Sequence, residues 1–206
     1  MTSPVVATVG VPAVRPWSDE TSIATLLVAG RIKIDLVYLT VSSMHDTYLT
    51  PAEFRIISGG QTGADLAALN WAIARGVPYG GWCPKGRKTE EGVLPERYAL
   101  LETPTSSYLQ RTEWNVRDSD ATLVFTLNDT LGGGSKRTLE FADKLGKPWL
   151  HVRPGVHPKY VARFLSRHEV TVLNVAGKRE STAPGIGLLL HEVLSQALQV
   201  AQPPCC

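Results

Sequence analysis

The chain has few cysteines and almost no excess of charge. Its 206 residues include three cysteines, two of them at the extreme C-terminus, so neither a disulfide framework nor a cysteine-ligated metal site is predicted. Lysine and arginine number 21 against 19 acidic residues and are dispersed, which argues against a nucleic-acid or membrane partner. The five histidines show no metal-ligand spacing. A globular protein of the reducing cytoplasm, with room for a compact anionic ligand, is expected.

Long apolar runs and several common catalytic motifs are also missing. Residues 1–22 lack the pattern of a secretory signal, and the apolar stretch 23–41 is interrupted by Arg31, Lys33 and Asp35, so no membrane span is predicted. The sequence contains no G-x-S-x-G, G-x-x-x-x-G-K-[ST] or H-E-x-x-H motif. Triad hydrolysis, P-loop chemistry and zinc proteolysis are therefore disfavoured.

The sequence pattern divides the chain into two regions, residues 1–52 and residues 53–202. Residues 1–52 are expected to form an N-terminal extension, in which the alternation around residues 32–36 predicts a hairpin or an edge strand. Met44 offers an alternative start that would leave the later motifs intact. Residues 53–202 are predicted to form the main domain, with a core of its own.

The main domain alternates strongly between strand and helix patterns. Apolar runs of strand length occupy 54–58, 79–84, 121–127, 148–152 and 169–177, with helical periodicity after each and a polar loop at 85–98. This alternation predicts an α/β fold: a Rossmann-like, doubly wound sheet, mainly parallel, with helices on both faces. Ligands in such sheets bind at the carboxyl ends of the strands.

The segment "SGGQTGAD" (58–65) follows the first of these strands and opens the first helix. Its glycines allow close approach of a ligand, and the amides at a helix start attract anions. Asp65 has two interpretations, a helix-capping partner of Thr62 or a ligand contact that accepts a hydrogen bond. The candidate binding residues here are Gly59, Gly60, Gln61, Thr62, Gly63 and Asp65.

A second glycine turn, "LGGGSKRTLE" (131–140), repeats the device after strand 121–127. The candidate binding residues are Gly133, Gly134, Ser135 and Thr138. Ser135 can cap the helix or reach a phosphate oxygen, and Thr138 lies one turn later. Glu140 is either a surface ion-pair residue or, in an enzyme, a catalytic acid or base. Two such turns are expected to converge on one crevice.

Basic side chains elsewhere offer partners for an oxyanion. Lys85 and Arg87 flank Gly86 in the polar loop, supplying a point charge and a bidentate fork. On the helix at 106–119, Arg111 and Asn115 share one face, either as a solvated stripe or as a polar wall of the site. Cys83 is more typical of a small buried apolar residue than of a nucleophile. Together these residues predict a phosphorylated, ring-bearing ligand.

Five blocks carry a family resemblance: "IISGGQTGADLAAL", "GGWCPKGRKTEEGVLPERY", "ETPTSSYLQRTEWNVRDSDATLVF", "GGSKRTLEFADKLGKPWLHV" and "VLNVAGKRESTAPGI". Over residues 54–200 the chain resembles the molybdenum cofactor carrier protein family, which is similar in fold to the Lonely-Guy phosphoribohydrolases, often labelled lysine decarboxylase-like. The chain departs from the family pattern at two positions, where Leu66 replaces a basic residue and Gly132 replaces a threonine.

The resemblance implies a cytoplasmic homo-oligomer that binds molybdenum cofactor (molybdopterin) and hands it to a molybdoenzyme acceptor. It places the family's two glycine loops on 59–63 and 133–138, and the cofactor's own dithiolene, not the protein, would hold the metal. Lys85 and Arg87 would then face phosphate or molybdate oxygens, and Trp82 or Tyr108 a pterin face.

An enzyme is the alternative, namely a nucleoside-monophosphate phosphoribohydrolase that uses Glu140, Arg111 and Asp65, or else a sensor of a nucleotide derivative. The hydrolase pattern Gly-Gly-x-Gly-Thr followed by glutamate is approached by "GGGSKRTLE" but is not met. Because no complete catalytic set is visible, a carrier without turnover is the preferred hypothesis.

Overall fold

The computed structural model describes residues 47–200, and the hairpin or edge strand predicted near residues 32–36 lies outside them. The helices are α1 (Ala64–Arg75), α2 (Tyr108–Arg117), α3 (Gly133–Lys144), α4 (Pro158–Arg167) and α5 (Ile186–Ala197). The strands are β1 (Tyr48–Leu49), β2 (Arg55–Ile57), β3 (Tyr79–Gly80), β4 (Trp82–Cys83), β5 (Lys88–Thr89), β6 (Gly92–Val93), β7 (Leu101–Glu102), β8 (Ala121–Phe125), β9 (Trp149–Val152), β10 (Val172–Gly177) and β11 (Leu198–Gln199).

The main sheet has five parallel strands in the order β3-β2-β10-β8-β9. The predicted α/β fold with a doubly wound sheet is therefore confirmed. Within residues 47–200, three short pairs lie outside it: β1 with β11, β4 with β7, and the hairpin β5–β6 inside the predicted polar loop. Because β1 pairs with β11, residues 48–49 of the predicted extension contact the end of the main domain.

Gly81 divides the predicted strand 79–84 into β3 and β4. Its φ is +117°, and a Cβ there would lie 2.4 Å from the Ser58 carbonyl oxygen and 2.7 Å from the Asn115 Oδ1. Only glycine tolerates this conformation and this close approach. The chain thus leaves the main sheet after two residues, and β4 pairs with β7 instead.

Sequence signals at the helix ends behave as local physics predicts. Gly76 ends α1 in the left-handed conformation, with its amide bonded to carbonyls of the last turn. Ser107 caps α2 by accepting a hydrogen bond from the Gln110 amide. Pro158 occupies the first turn of α4, where its missing N–H costs nothing. These residues therefore set where α1 ends and where α2 and α4 begin.

The two faces of the sheet differ in chemistry. Helices α1 and α4 pack against α5 on one face, and α2 packs against α3 on the other. Alternate side chains of β10 lie on opposite faces of the sheet. Leu173 and Val175 lie in the main apolar core with α1, α4 and α5, whereas Asn174 faces the α2 and α3 side. There Asn174 donates to the Thr122 hydroxyl at 3.1 Å. The face covered by α2 and α3 is therefore the polar one.

The central strand, β10, is the last of the five in the chain. In doubly wound folds the central strand ordinarily comes first, and the chain then moves outward to each edge. Here β2 and β3 build one edge, β8 and β9 build the other, and β10 then enters the middle. The crevice at the carboxyl ends of the central strands is consequently bordered by the loops after β2, β8 and β10.

Candidate ligand-binding site

A cleft of about 310 Å³ lies at the carboxyl ends of β2, β8 and β10. The turn after β2 contributes Gln61 and Asp65, and the end of β10 with the loop after it contributes residues 176–179 and Thr182. The start of α3 contributes residues 132–135, Arg137 and Thr138. Tyr108 and Arg111 close the cleft from α2. This is the location expected for a ligand in an open parallel sheet, and its volume falls within the range of small-molecule pockets.

Asp65 and Arg111 form a buried ion pair in the wall of the cleft. The Arg111 Nη1 lies 2.7 Å from the Asp65 Oδ2, with 12% and 6% of the two side chains exposed. The same carboxylate oxygen accepts the Gln61 amide at 3.2 Å. Burial raises the pKa of the Asp65 carboxyl above its ordinary value, while the Arg111 guanidinium limits the rise. Asp65 thus positions Arg111.

Gly59 makes room for this arginine. A Cβ at Gly59 would lie 1.5 Å from the Arg111 Nη1, so the guanidinium occupies the volume that any other side chain would fill. Gly60 similarly admits Leu94 and Leu100, whose methyl carbons would lie 2.7 and 2.8 Å from an added Cβ. In the first glycine turn, therefore, these glycines accommodate protein side chains, and Gln61 and Asp65 line the cleft.

The carboxamide of Gln61 is held in one orientation. Its Oε1 accepts the backbone amides of Thr62 and Glu90, both at 3.0 Å. Because two donors fix the oxygen, the Nε2 must lie on the opposite side, and it is buried without a hydrogen-bond partner. Gln61 therefore offers a donor to the cleft.

The start of α3 is open to a ligand. Gly132 provides no side-chain cap, and a Cβ at Gly133 or Gly134 would meet no atom within 4 Å. The Ser135 hydroxyl is buried without a partner, whereas the Thr138 hydroxyl donates to the Gly134 carbonyl at 3.0 Å. Unpaired amides at a helix start are a favourable environment for an anion.

The loop after β10 adds two cations that the sequence reasoning missed. Lys178 Nζ lies 3.4 Å from the Gly132 carbonyl oxygen, at the start of α3. The Arg179 guanidinium lies 5.5 Å from the centre of the Tyr108 ring, which Arg111 approaches to 5.9 Å. The available signal was the position of "GKRES" directly after a predicted strand, where ligands of parallel sheets bind.

Several polar side chains that line the cleft have hydrogen-bonding atoms without a partner. Within residues 47–200, three buried side-chain atoms lack a hydrogen-bond partner, the Gln61 Nε2, the Arg111 Nε and the Ser135 Oγ, and all three residues line this cleft. Its described lining also has four basic side chains, Arg111, Arg137, Lys178 and Arg179, against one acidic side chain, Asp65. Buried polar groups are rarely left unpaired, so the cleft is chemically suited to an oxyanion.

Asn115 lies behind the cleft and has a clear structural role. Its Oδ1 accepts the Trp82 amide and its Nδ2 donates to the Trp82 carbonyl, both at 2.9 Å. It borders a small void of about 10 Å³ together with Gly59 and Arg111. Trp82 itself does not line the cleft, because its ring packs on Trp114 and its Nε1 donates to Asp118.

Several sequence candidates lie outside the described lining of the cleft. The Arg87 guanidinium donates to the carbonyls of Leu94, Pro95, Tyr98 and Leu100, and Lys85 is exposed on the same loop. Glu140 pairs at 2.7 Å with Arg137, which does line the cleft, and 43% of the Glu140 side chain is exposed. The remaining three, Gly60, Thr62 and Gly63, support neighbouring segments. A phosphate role for Lys85 and Arg87 remains a prediction.

Two further features bear on chemistry. Cys83 is buried among Leu69, Leu94 and Tyr98, and burial raises the pKa of its thiol, which keeps it protonated. Among the described residues, no three His, Cys, Asp or Glu side chains come together as a metal site. No helix within residues 47–200 has the length and apolar character needed to cross a membrane.

The comparisons with known proteins agree with this architecture. The model of the circularly permutated YpsA SLOG family matches residues 56–198. A solved structure from Syntrophus aciditrophicus SB, of a protein named "Putative molybdenum carrier protein", shares 46% identity over 71% of this chain and 95% of that chain, with a TM-score of 0.67. No curated protein matches the chain.

The parallel sheet and the basic cleft at its central strands define a Rossmann-like protein, and the family match and the solved relative support a role in binding nucleotide or phosphate ligands. The chain belongs to the circularly permutated YpsA SLOG family. The sheet order accounts for the family's description, since moving the first strand of a doubly wound fold to the end of the chain places it in the centre as β10.

Proposed function

We propose that the cleft binds molybdenum cofactor by its phosphate and carries it without turnover. The observation that carries the proposal is the convergence of three partnerless buried polar atoms with the basic side chains of the same cleft. A phosphate monoester presents several strong acceptor oxygens, which this set of donors requires. The solved relative named as a molybdenum carrier supports the choice of cofactor.

The donor set is compatible with the remaining parts of such a ligand. The cofactor's dithiolene sulfurs hold its metal, so the protein has to supply contacts only for phosphate, pterin and oxo groups. The Tyr108 ring lines the cleft, with the Arg111 and Arg179 guanidinium groups 5.9 and 5.5 Å from its centre, and offers an aromatic surface for the pterin. We further propose that a homo-oligomer in the cytoplasm carries the cofactor to a molybdoenzyme, as the family resemblance implies.

Purification from cells that make the cofactor tests this function. Oxidised pterin is measured by fluorescence and molybdenum by elemental analysis, and both are expected at near-stoichiometric amounts with the protein. Protein that takes up neither under a saturating supply would contradict the carrier function. The same preparation is incubated with nucleoside monophosphates, and release of free base would favour the hydrolase alternative. Glu140, the acid or base assigned to that alternative, lies outside the described lining of the cleft.

Replacing Ser135 with alanine is expected to separate binding from stability. A buried hydroxyl without a partner costs about 1–3 kcal/mol, so removing it should leave the free energy of unfolding unchanged or raise it. The affinity for inorganic phosphate, measured by calorimetry, should fall about tenfold, because a hydrogen bond to a charged group is lost.

Thr138 provides the matched control on the same helix. Thr138 is also a buried residue, but its hydroxyl already donates to the Gly134 carbonyl. Thr138→Val should therefore lower the free energy of unfolding by about 1 kcal/mol. If Ser135→Ala destabilises the protein as much as this control and leaves phosphate affinity unchanged, Ser135 has no role in the ligand site.

A further inference from the structure

Glu90, at the tip of the β5–β6 hairpin, connects two walls of the cleft without lining it. Its backbone amide donates to the Gln61 Oε1 at 3.0 Å. Its carboxylate accepts the Ser181 hydroxyl at 2.6 Å and also accepts the Thr62 hydroxyl. One residue thus holds the turn after β2 and the loop after β10 together.

The carboxylate is also the anionic neighbour of Arg179. The Arg179 Nη1 lies 3.8 Å from the Glu90 Oε2, and 18% of the Glu90 side chain is exposed. The hydrogen bonds from Ser181 and Thr62 lower the pKa of the Glu90 carboxyl, so it is charged at neutral pH. Because this distance is 3.8 Å and 46% of the Arg179 side chain is exposed, the guanidinium keeps N–H groups that can donate to another anion.

Backbone contacts hold the main chain of the loop after β10, where the Arg179 carbonyl accepts the amides of Thr182 and Ala183 at 3.1 and 2.9 Å. A Cβ at Gly63 would lie 2.5 Å from the Lys178 carbonyl oxygen, which shows how closely the backbones at 63 and 178–180 approach. Beyond that contact, the loop is tied back by the bonds between Ser181 and Glu90. The Arg179 side chain, by contrast, has two described contacts, the Tyr108 ring at 5.5 Å and the Glu90 carboxylate at 3.8 Å, and of these only the carboxylate carries a charge.

We infer that Glu90 is a positioning residue, which holds the Arg179 guanidinium at the cleft in the orientation that binds the ligand's anionic group. This inference rests on the proposed function, because it assumes that an oxyanion occupies the cleft. The backbone amide of residue 90 orients Gln61 whatever its side chain, so replacing the carboxylate keeps that contact and removes the bonds to Thr62, Ser181 and Arg179.

A double-mutant cycle with inorganic phosphate as the probe tests the inference. In the wild-type chain, Arg179→Gln should weaken phosphate binding about tenfold, the expected loss of one charge-assisted contact. In the Glu90→Ala chain the same replacement should cost less than about twofold, because the arginine is no longer positioned. The cost of Ser135→Ala should be the same in both chains, since Ser135 contacts neither residue.

A merely structural role for Glu90 predicts a different pattern. It would lower the unfolding midpoint and leave the cost of Arg179→Gln unchanged, and that result would overturn the inference. Glu90→Gln provides a second background if Glu90→Ala does not fold, and it should also reduce the cost of Arg179→Gln. Glu91→Ala, at the exposed neighbouring position, is the matched control and should change nothing.

The outcomes distinguish this inference from the proposed function. If the wild-type chain binds neither inorganic phosphate nor molybdate, the proposed function fails and the positioning role falls with it. If the wild-type chain binds phosphate but Arg179→Gln costs the same with and without the Glu90 carboxylate, the function stands and only the positioning role is wrong.

Discussion

Replacing Arg111 with methionine is expected to lower the free energy of unfolding by about 3–5 kcal/mol, because it leaves the buried Asp65 carboxylate without its cation. Urea unfolding at neutral pH, followed by tryptophan fluorescence, measures the effect. Phosphate binding should also be lost, since one of the three partnerless donors of the cleft disappears.

The effect should depend on pH in a defined direction. Burial already raises the pKa of the folded Asp65 carboxyl, and without Arg111 only the Gln61 amide and the Arg179 charge oppose the rise. A carboxyl whose pKa is raised on folding stabilises the fold below its unfolded pKa, about 3.9 for aspartate, and loses that contribution as the pH rises through the folded pKa. The deficit of the Arg111→Met chain should therefore be smallest in acid and grow toward neutral pH.

Two control variants complete this experiment. Adding Asp65→Asn to Arg111→Met removes the unpaired charge and should restore most of the stability at neutral pH but not the phosphate binding. Arg137→Gln, at a cleft arginine that is 61% exposed, should change the free energy of unfolding by less than about 0.5 kcal/mol. Equal losses for Arg111→Met and Arg137→Gln would show that the buried pair does not contribute to stability.

The fold was largely predictable because its signals are local. Each of the five strands of the main sheet lies in a segment predicted as strand, and apolar runs followed by helical periodicity are enough to indicate parallel pairing. The strand order was not predictable in the same way. That β10 lies between β2 and β8 depends on long-range packing, which no local pattern encodes.

The glycine turns show where sequence reasoning about a site stops. Three glycines near a helix start indicate that something approaches the backbone closely, but the pattern cannot tell a ligand from the protein's own side chains. At Gly59 the approaching group is Arg111, whereas at Gly133 and Gly134 the space is open. Similarly, Arg87 has the chemistry of an oxyanion partner, yet it donates to backbone carbonyls.

The two basic residues in the loop after β10 were not predicted as site residues, for a related reason. Lys178 and Arg179 follow no glycine-rich motif, so the motif search did not select them. The carboxyl end of a parallel strand is nevertheless where a ligand is expected. For this loop, its position after a predicted parallel strand was thus a better predictor of cleft residues than its composition. Only the strand order shows that this particular loop follows the central strand and faces the start of α3.

Gly63→Ala is expected to be strongly destabilising, with a loss of about 3–5 kcal/mol from left-handed strain and overpacking together. Gly63 has a φ of +74° and a ψ of −124°, which side chains avoid, and an added Cβ would lie 2.5 Å from both the Lys178 carbonyl oxygen and the Glu180 amide. These are backbone atoms of the loop after β10. That loop must therefore move, and phosphate affinity should fall along with the unfolding midpoint.

Gly76→Ala isolates the backbone cost from the clash. Gly76 also has a positive φ, +65°, but an added Cβ there would meet no atom within 4 Å. Its replacement should cost only about 1–2 kcal/mol and leave phosphate binding unchanged, because it ends α1 far from the cleft loops. If the two variants lose the same stability and both retain phosphate binding, the close approach of the loop at Gly63 does not constrain the site, and the cations at 178 and 179 are held by other contacts.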